Sequence, residues 1–359
     1  MSENGDLEEG QLEMKERVEW VDTAKLFGMF AIYIGHFGTF AGRIYPFVFA
    51  YHVPLFFFLS GCMEYYAKEI PFHTLVMKKA KRILFPYVLF CLLSIVVYTL
   101  QTQIGIGEVR ELLYIVAKGC IRNTFFGSAL WFLTCLFCVE VLFRLFRFFR
   151  FKPLIFAACC GCYALASFVV QPHPLAKPHM WYNFDSALYY MLYYGIGYVG
   201  YPYLLRLFRW DRPGKVWICV LTGGISILYA ASVFFGKDIF DMVFPGTGAV
   251  QMVLTVLKVL ILIWFNLVLA RFLEGLHVFA EFGRESLFLC GNEYVIKAVV
   301  QGALGFVGLN LQFGELSACL YTVCLLICCT RYLIPFEKKI CRKLQENLSN
   351  GVSPKQEGN

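Results

Sequence analysis

The sequence predicts an all-α, polytopic integral membrane protein with about ten transmembrane helices and both termini cytoplasmic. The first observation behind this is balance: of 359 residues, 59% are hydrophobic, 18% are aromatic and 16% are charged, proportions that water-soluble domains of this size do not normally tolerate. The second is recurrence, because apolar runs of roughly 20 residues, enough for an α-helix to cross about 30 Å of hydrocarbon, return along almost the whole chain. The third is an alternation of basic and nearly cation-free connections.

In chain order, residues 1–18 are acidic and polar, without an apolar core or a small-residue cleavage site, and read as a cytoplasmic lead-in rather than a signal peptide. Spans are expected at 20–41, 46–66, 83–102, 128–149, 153–171, 186–206, 216–236, 246–271, 286–308 and 316–336. The membrane domain then occupies 19–337, and 338–359 form a second cytoplasmic tail. Lys78, Lys79, Lys81 and Arg82 follow the second span, Arg144, Arg147, Arg150 and Lys152 the fourth, and Arg206, Arg209, Arg212 and Lys215 the sixth. Lys338, Lys339, Arg342 and Lys343 follow the tenth, and the positive-inside rule places all four groups in the cytoplasm. The net charge of +7 then reflects topology in a cell membrane and contact with anionic lipid of the bilayer, not nucleic acid as a partner.

One connection is long. In 103–127, Val109, Leu112, Leu113, Val116 and Ala117 recur at helical spacing with charges between them, which suits either an amphipathic helix in the outer interface or a plain loop helix. No internal repeat is visible, which weakens an inverted-repeat transporter. The 15 cysteines are scattered through the spans. Cys135 and Cys138 form a CxxC, but without a partnering His cluster no metal site is expected, and cysteine serves as a small hydrophobe in helix packing.

Chemistry enters in the first span, VEWVDTAKLFGMFAIYIGHFGTF, where Asp22, Lys25 and His36 interrupt an apolar segment. At 100° per residue Lys25 and His36 fall within about 20° of each other and Asp22 about 40° from His36, so one helix face carries all three. Lys25 belongs near the cytoplasmic surface and His36 about 16 Å deeper. A charge within a span costs roughly 2.5–3.5 kcal/mol on insertion scales, so such a stripe should face a cavity or a partner. The plainer alternative is an Asp22–Lys25 bridge at a helix end with a packed His36. In the second span, FAYHVPLFFFLSG, Pro54 is expected to open a wedge beside His52, and Ser60-Gly61 to allow close backbone approach. His36 and His52 both fall in the outer half, where they are expected to face one cavity.

The succession Asp22, Lys25-x10-His36, His52-x-Pro54-Leu-Phe-Phe-Phe-Leu-Ser60-Gly61, Lys81-Arg82-x3-Pro86-Tyr87 and Leu130-Trp131-Phe132-Leu133 resembles the acyltransferase-3 family over residues ~17–336. Its members acylate, usually acetylate, hydroxyls of cell-surface and exported glycans. The resemblance implies an acyl-CoA donor, usually acetyl-CoA, presented from the cytoplasm, and a glycan or glycan-lipid acceptor. It matches His36 to the catalytic histidine, Lys25 to the basic residue paired with it, and His52, Pro54, Ser60 and Gly61 to the second motif. Arg82 matches a basic position opening the third span.

Physical chemistry accommodates these roles. A neutral imidazole suits removal of a hydroxyl proton near pH 7, making His36 the expected base or a transient acyl carrier. Coenzyme A phosphates need cations, here Lys25 and Arg82 with Arg17 and Lys81 beside them, and Asp22 would hold Lys25 or orient a neighbouring basic group. Trp131 suits stacking on adenine or a sugar, or an interface with no such role. Asp185 suits a sugar hydroxyl, and His173 and His179 either the acceptor or a solvated loop.

GRESLFLCGNEYVIK, 283–297, resembles the segment opening the family's ninth span, except that Glu293 stands where many members have a histidine that meets the acceptor. Lys297 lies four residues on, at ion-pair spacing. Lys258 is a second isolated intramembrane charge without an assignable partner. The competing function is a secondary transporter or flippase with Asp22, Lys25 and His36 as an ion relay; a third is a membrane sensor without turnover.

Overall fold

The structure, a computed structural model, describes residues 18–122, 124, 129–170, 180–244, 248–308 and 314–339. Among these there are helices and connections but no strand, as a bilayer favours, because a helix satisfies its backbone groups within one segment. Helix α1 is Glu19–Gly35, α2 Ile44–Phe49 and α3 His52–Glu64. Helix α4, Phe72–Lys79, runs through a π turn at Ala80–Leu84 into α5, Phe85–Thr102. Then come α6 Ile106–Lys118, α7 Trp131–Phe146, α8 Lys152–Leu165, α9 Phe184–Phe208, α10 Pro213–Phe234 and α11 Ile239–Val243. The last four are α12 Ala249–Phe272, α13 His277–Arg284, α14 Ser286–Phe306 and α15 Glu315–Cys328.

Among the described residues six helical stretches are long and apolar enough to cross a membrane: 44–64, 72–102, 152–170, 213–234, 249–272 and 315–339. The other four expected spans coincide with α1, α7, α9 and α14, which are shorter or more polar. Helix α9 shows the reason. It packs against α3, α7 and α8 in the middle of the bundle, and its tyrosines meet protein rather than lipid, so strong hydropathy is not required of it. Tyr190 stacks on Phe57 with centroids 4.5 Å apart and planes 8° from parallel, and Phe143 meets Tyr194 edge to face at 4.8 Å.

Two glycines explain how α3 and α9 come so close. A methyl group at Gly61 would overlap the carbonyl oxygen of Tyr194, and one at Gly197 that of Phe58, so the backbones touch where the Ser60-Gly61 pair predicts close approach. The six-residue α2 folds between α1 and α3, and α6 is present where the amphipathic spacing suggests a helix. The Val116 carbonyl of α6 accepts from the Tyr87 hydroxyl at 2.9 Å.

Two expectations need correction. The first span does not run on to 41: α1 ends at Gly35, and His36 follows as its cap residue with φ −78°, ψ 2°. Pro54 opens no wedge. The second span breaks before it, at Ala50–Tyr51, and Pro54 falls in the first turn of α3, where a missing N–H is no loss because that donor has no intrahelical acceptor.

Candidate active site

A cavity of about 510 Å³ opens at the end of the bundle where Lys78, Lys79 and Arg82 lie. Helix α1 gives it Lys25, Met29 and Ile32, helix α3 gives Phe56, Leu59, Ser60 and Glu64, and the segment around the π turn gives Lys78, Lys79 and Arg82. Its mouth is thus cationic and its depth apolar. Lys25 and Arg82 come together here as the sequence suggests, whereas Lys81 is exposed and absent from the lining. Asp22 belongs to this end: its Oδ1 lies 3.1 Å from Lys25 Nζ, and its Oδ2 lies 3.7 Å from Arg284 Nε. Helix α13 reaches Asp22 so closely because Gly283 presses against the Asp22 carbonyl oxygen. Arg17 lies outside the described residues.

The cavity does not reach the histidines. Phe56 and Phe132, 5.7 Å apart, line its deep end with Met29 and Cys290, and His36, His52 and Pro54 are not in its wall. The expectation of one cavity from Lys25 to both histidines is therefore corrected: aromatic side chains separate a basic chamber from a histidine layer.

Beyond that layer, His36 Nδ1 lies 3.2 Å from Glu293 Oε1. The Lys297 ammonium holds the same carboxylate, as the i,i+4 spacing predicts, and donates to the Tyr33 carbonyl at 3.2 Å. Glu293 is 3% exposed. A carboxylate offers acceptors only, so the tautomer with its proton on Nδ1 suits this contact and leaves the lone pair on Nε2. Burying a carboxylate is tolerable here because Lys297 supplies the opposite charge within one turn. The stripe on α1 thus divides: Asp22 and Lys25 pair with each other at one end, and His36 pairs across to α14 at the other.

His52 is buried, and its Nδ1 donates to the Val48 carbonyl at 2.7 Å. That bond caps the break between α2 and α3 and fixes the tautomer, again leaving Nε2 as the acceptor. His36 lies within its electrostatic reach, as does Arg122. Trp131, at the start of α7, is covered by Arg122, whose guanidinium sits 4.1 Å from the ring centroid. Asp185 is buried in the first turn of α9 and accepts from the Ser186 amide at 2.7 Å, the usual place for an acid at a helix start. His173 and His179 lie outside the described residues.

Several residues here carry no obvious sequence signal. Asn183 donates to the Gly119 carbonyl at 2.8 Å and to Thr134 Oγ1 at 2.9 Å, pinning the starts of α7 and α9 to the end of α6. It and Tyr182 hold left-handed backbone, φ 55° and 56°, which non-glycine residues keep only where neighbours enforce it. Glu64 is a buried carboxylate meeting Arg147 at 3.1 Å, Lys79 at 3.4 Å and the Tyr194 hydroxyl at 3.3 Å, while Glu140 lies 2.7 Å from Lys79. A net excess of Lys and Arg in these connections is plain from the sequence but hides which of them are already neutralised.

Lys258 does have partners. Its Nζ lies 3.1 Å from Asp238 Oδ2 and contacts Asp241 Oδ1, joining α12 to α11. Hydrogen bonds from Lys258 and Gln251 hold the Asp241 carboxyl below the usual carboxylate range. Among the described residues no three His, Cys, Asp or Glu side chains gather as a metal site, and the described cysteines are unpaired.

The family model described as an acyltransferase domain, acyltransferase-3, matches residues 18–331. The chain therefore belongs to that acyltransferase family. Neither curated proteins nor solved structures give a match.

Proposed function

We propose that this member of the acyltransferase-3 family transfers an acyl group, acetyl in the first instance, from acyl-CoA to a hydroxyl of a cell-surface or exported glycan or glycan-lipid. The chain would cross the plasma membrane about ten times with both termini in the cytoplasm, and acyl-CoA would enter the cationic mouth beside Lys25, Lys78 and Arg82. The observation that carries the reading is the His36–Glu293–Lys297 contact chain beyond the apolar floor of that cavity. Glu293 then orients the His36 ring rather than meeting the acceptor itself.

In the reaction, His36 Nε2 takes the proton as the acceptor oxygen bonds to the thioester carbonyl carbon; the C–S bond breaks, and the proton passes to the departing thiolate. The imidazolium formed between the two steps is stabilised by Glu293, whose charge is already balanced at rest by Lys297. The thioester reaches His36 once the Phe56–Phe132 floor yields, a side-chain movement rather than a helix rearrangement.

Purified protein in nanodiscs should hydrolyse acetyl-CoA slowly in the absence of acceptor. Lys25→Ala should raise the KM for acetyl-CoA about ten- to a hundredfold, the loss of one charge-assisted phosphate contact of roughly 1.5–3 kcal/mol. An unchanged KM removes Lys25 from the donor site, and absence of both hydrolysis and acetyl-CoA binding removes the acyltransferase reading.

A further inference from the structure

Arg122 is half-buried at the histidine end of the bundle, and among the described residues it has no ionic partner. No carboxylate among the described residues lies within 4 Å of its guanidinium, and the internal segments outside them, 123, 125–128, 171–179, 245–247 and 309–313, contain no Asp or Glu. Asp185, the acid on the neighbouring helix start, turns its Oδ1 to the Ser186 amide instead. Arg122 Nη1 donates to Ser186 Oγ at 3.2 Å, its face lies on Trp131, and the Tyr190 hydroxyl is within its electrostatic reach.

Magnitudes show how the guanidinium is held. A cation–π contact contributes about 0.5–2 kcal/mol and a hydrogen bond from a charged donor about 1.5–3 kcal/mol, enough to hold the guanidinium in place, but neither brings an opposite charge to it. Among the described residues no carboxylate comes within ion-pair distance of the charge, and the contacts with Ser186 and the Tyr190 hydroxyl leave most of the five N–H donors of the guanidinium open. Asn183 and the left-handed turn at 182–183 hold Trp131 and Ser186 in place around it, so the fork is presented on a rigid frame. A planar guanidinium with open donors over an indole matches a sugar that stacks on one face and carries an anionic group at its edge.

We propose that Arg122, stacked on Trp131 and anchored by Ser186, is an acceptor subsite that binds a carboxylate or phosphate of the glycan close to the hydroxyl being acylated. This rests on the acyltransferase reading above and narrows it: the acceptor is an acidic glycan. It also gives Trp131 a role other than adenine stacking, because the ring sits at the histidine end and the donor enters at the other. The anionic group comes from a sugar acid or from a phosphate link to lipid or another sugar, and both would meet the same fork.

The test compares three acceptor probes with the wild-type protein in nanodiscs: a glucuronate-terminated disaccharide, its neutral glucose-terminated counterpart and a phosphate-terminated one. Wild type should acylate at least one acidic probe with kcat/KM ten times or more that of the neutral probe, and whichever acidic probe is preferred identifies the source of the charge. Arg122→Gln should erase that ratio, and Arg122→Lys, which keeps the charge without the fork, should restore part of it. Equal kcat/KM for acidic and neutral probes in wild type overturns the proposal, as does a loss in Arg122→Gln that is the same for all three. A parallel NMR titration follows binding of the acidic disaccharide without turnover. Binding at least tenfold weaker in Arg122→Gln upholds the subsite even if the protein transfers no acyl group, in which case the acyltransferase reading alone fails; equal binding in wild type and variant overturns the subsite.

Discussion

Two of the lysine–carboxylate clusters in this bundle, those of Lys258 and Lys297, differ by one lone pair. Lys258 meets Asp238 and Asp241, and each carboxylate has further bonds: Tyr229 donates to Asp238, Gln251 to Asp241, and the Phe240 amide to Asp238. Lys297 meets Glu293 with comparable chemistry, but the carboxylate also faces His36, whose Nε2 finds no hydrogen-bond partner among the described residues. The first cluster is closed and ties α11 to α12. The second ends in a basic nitrogen that has no protein partner among the described residues and is free to meet a substrate. An intramembrane charge is therefore a poor guide to function by itself, and the atom left over after pairing is a better one.

The widest separation between the two clusters should come from His36→Gln, which removes the base while keeping a side chain able to donate to Glu293. Acyl transfer in nanodiscs should fall by roughly 10²–10⁴, the usual worth of general-base catalysis, whereas Lys258→Met, at a comparable charge cluster, should leave kcat within about twofold of wild type because it meets no reacting group. If His36→Gln retains most of the rate, or Lys258→Met loses it, the division between a reactive and a structural cluster is wrong.

Glu293→Gln sharpens the same contrast at lower amplitude. The amide keeps the shape but cannot stabilise an imidazolium as a carboxylate does, and losing a charge-assisted contact of roughly 1.5–3 kcal/mol predicts a drop in kcat of about ten- to a hundredfold. The KM for acyl-CoA should hardly move, since Glu293 lies beyond the floor of the donor cavity. A rise in KM with kcat intact would return Glu293 to a substrate-contact role.

How much of this the sequence discloses depends on whether an interaction is local. Lys297 lies four residues after Glu293 and Lys25 three after Asp22, so both pairs are visible from helical spacing. The helical class and the family follow from apolar recurrence and motif order, and the matched 18–331 agrees with the stretch of about 17–336 over which the resemblance runs. What brings His36 to Glu293 is the packing of α14 beside α1, across 257 positions, and no periodicity encodes that. The break at Ala50–Tyr51 was hidden for a different reason: Pro54 is the conspicuous breaker, yet it occupies the one turn where proline costs little. Arg122 was invisible because cations in a loop are ordinarily solvated; its interest lies in the absence of an acid at ion-pair distance among the described residues, which needs three dimensions to see. Glu64 reads as a polar residue at a span's end until Arg147, Lys79 and Tyr194 converge on it.

The smallest effects should appear at the closed cluster, and they concern order rather than rate. Lys258 bridges two partly solvated carboxylates, so Lys258→Met should lower thermal stability by about 1 kcal/mol or less while raising amide exchange across 239–243. Acid should act on the same segment in the wild type. Because hydrogen bonds from Lys258 and Gln251 hold the Asp241 carboxyl below its ordinary value, the contribution is fully present above about pH 4, the ordinary aspartate range, and is lost as pH falls through the depressed value. Hydrogen exchange of 239–243, corrected for the intrinsic rate at each pH, should show protection constant from pH 7 to about 4 and declining below it. In Lys258→Met protection should already be low at pH 7 and change less on acidification. Equal protection in the two proteins across that range would mean that the short helix is held by Phe240 against Tyr229 alone, and that the ion pairs merely accompany it.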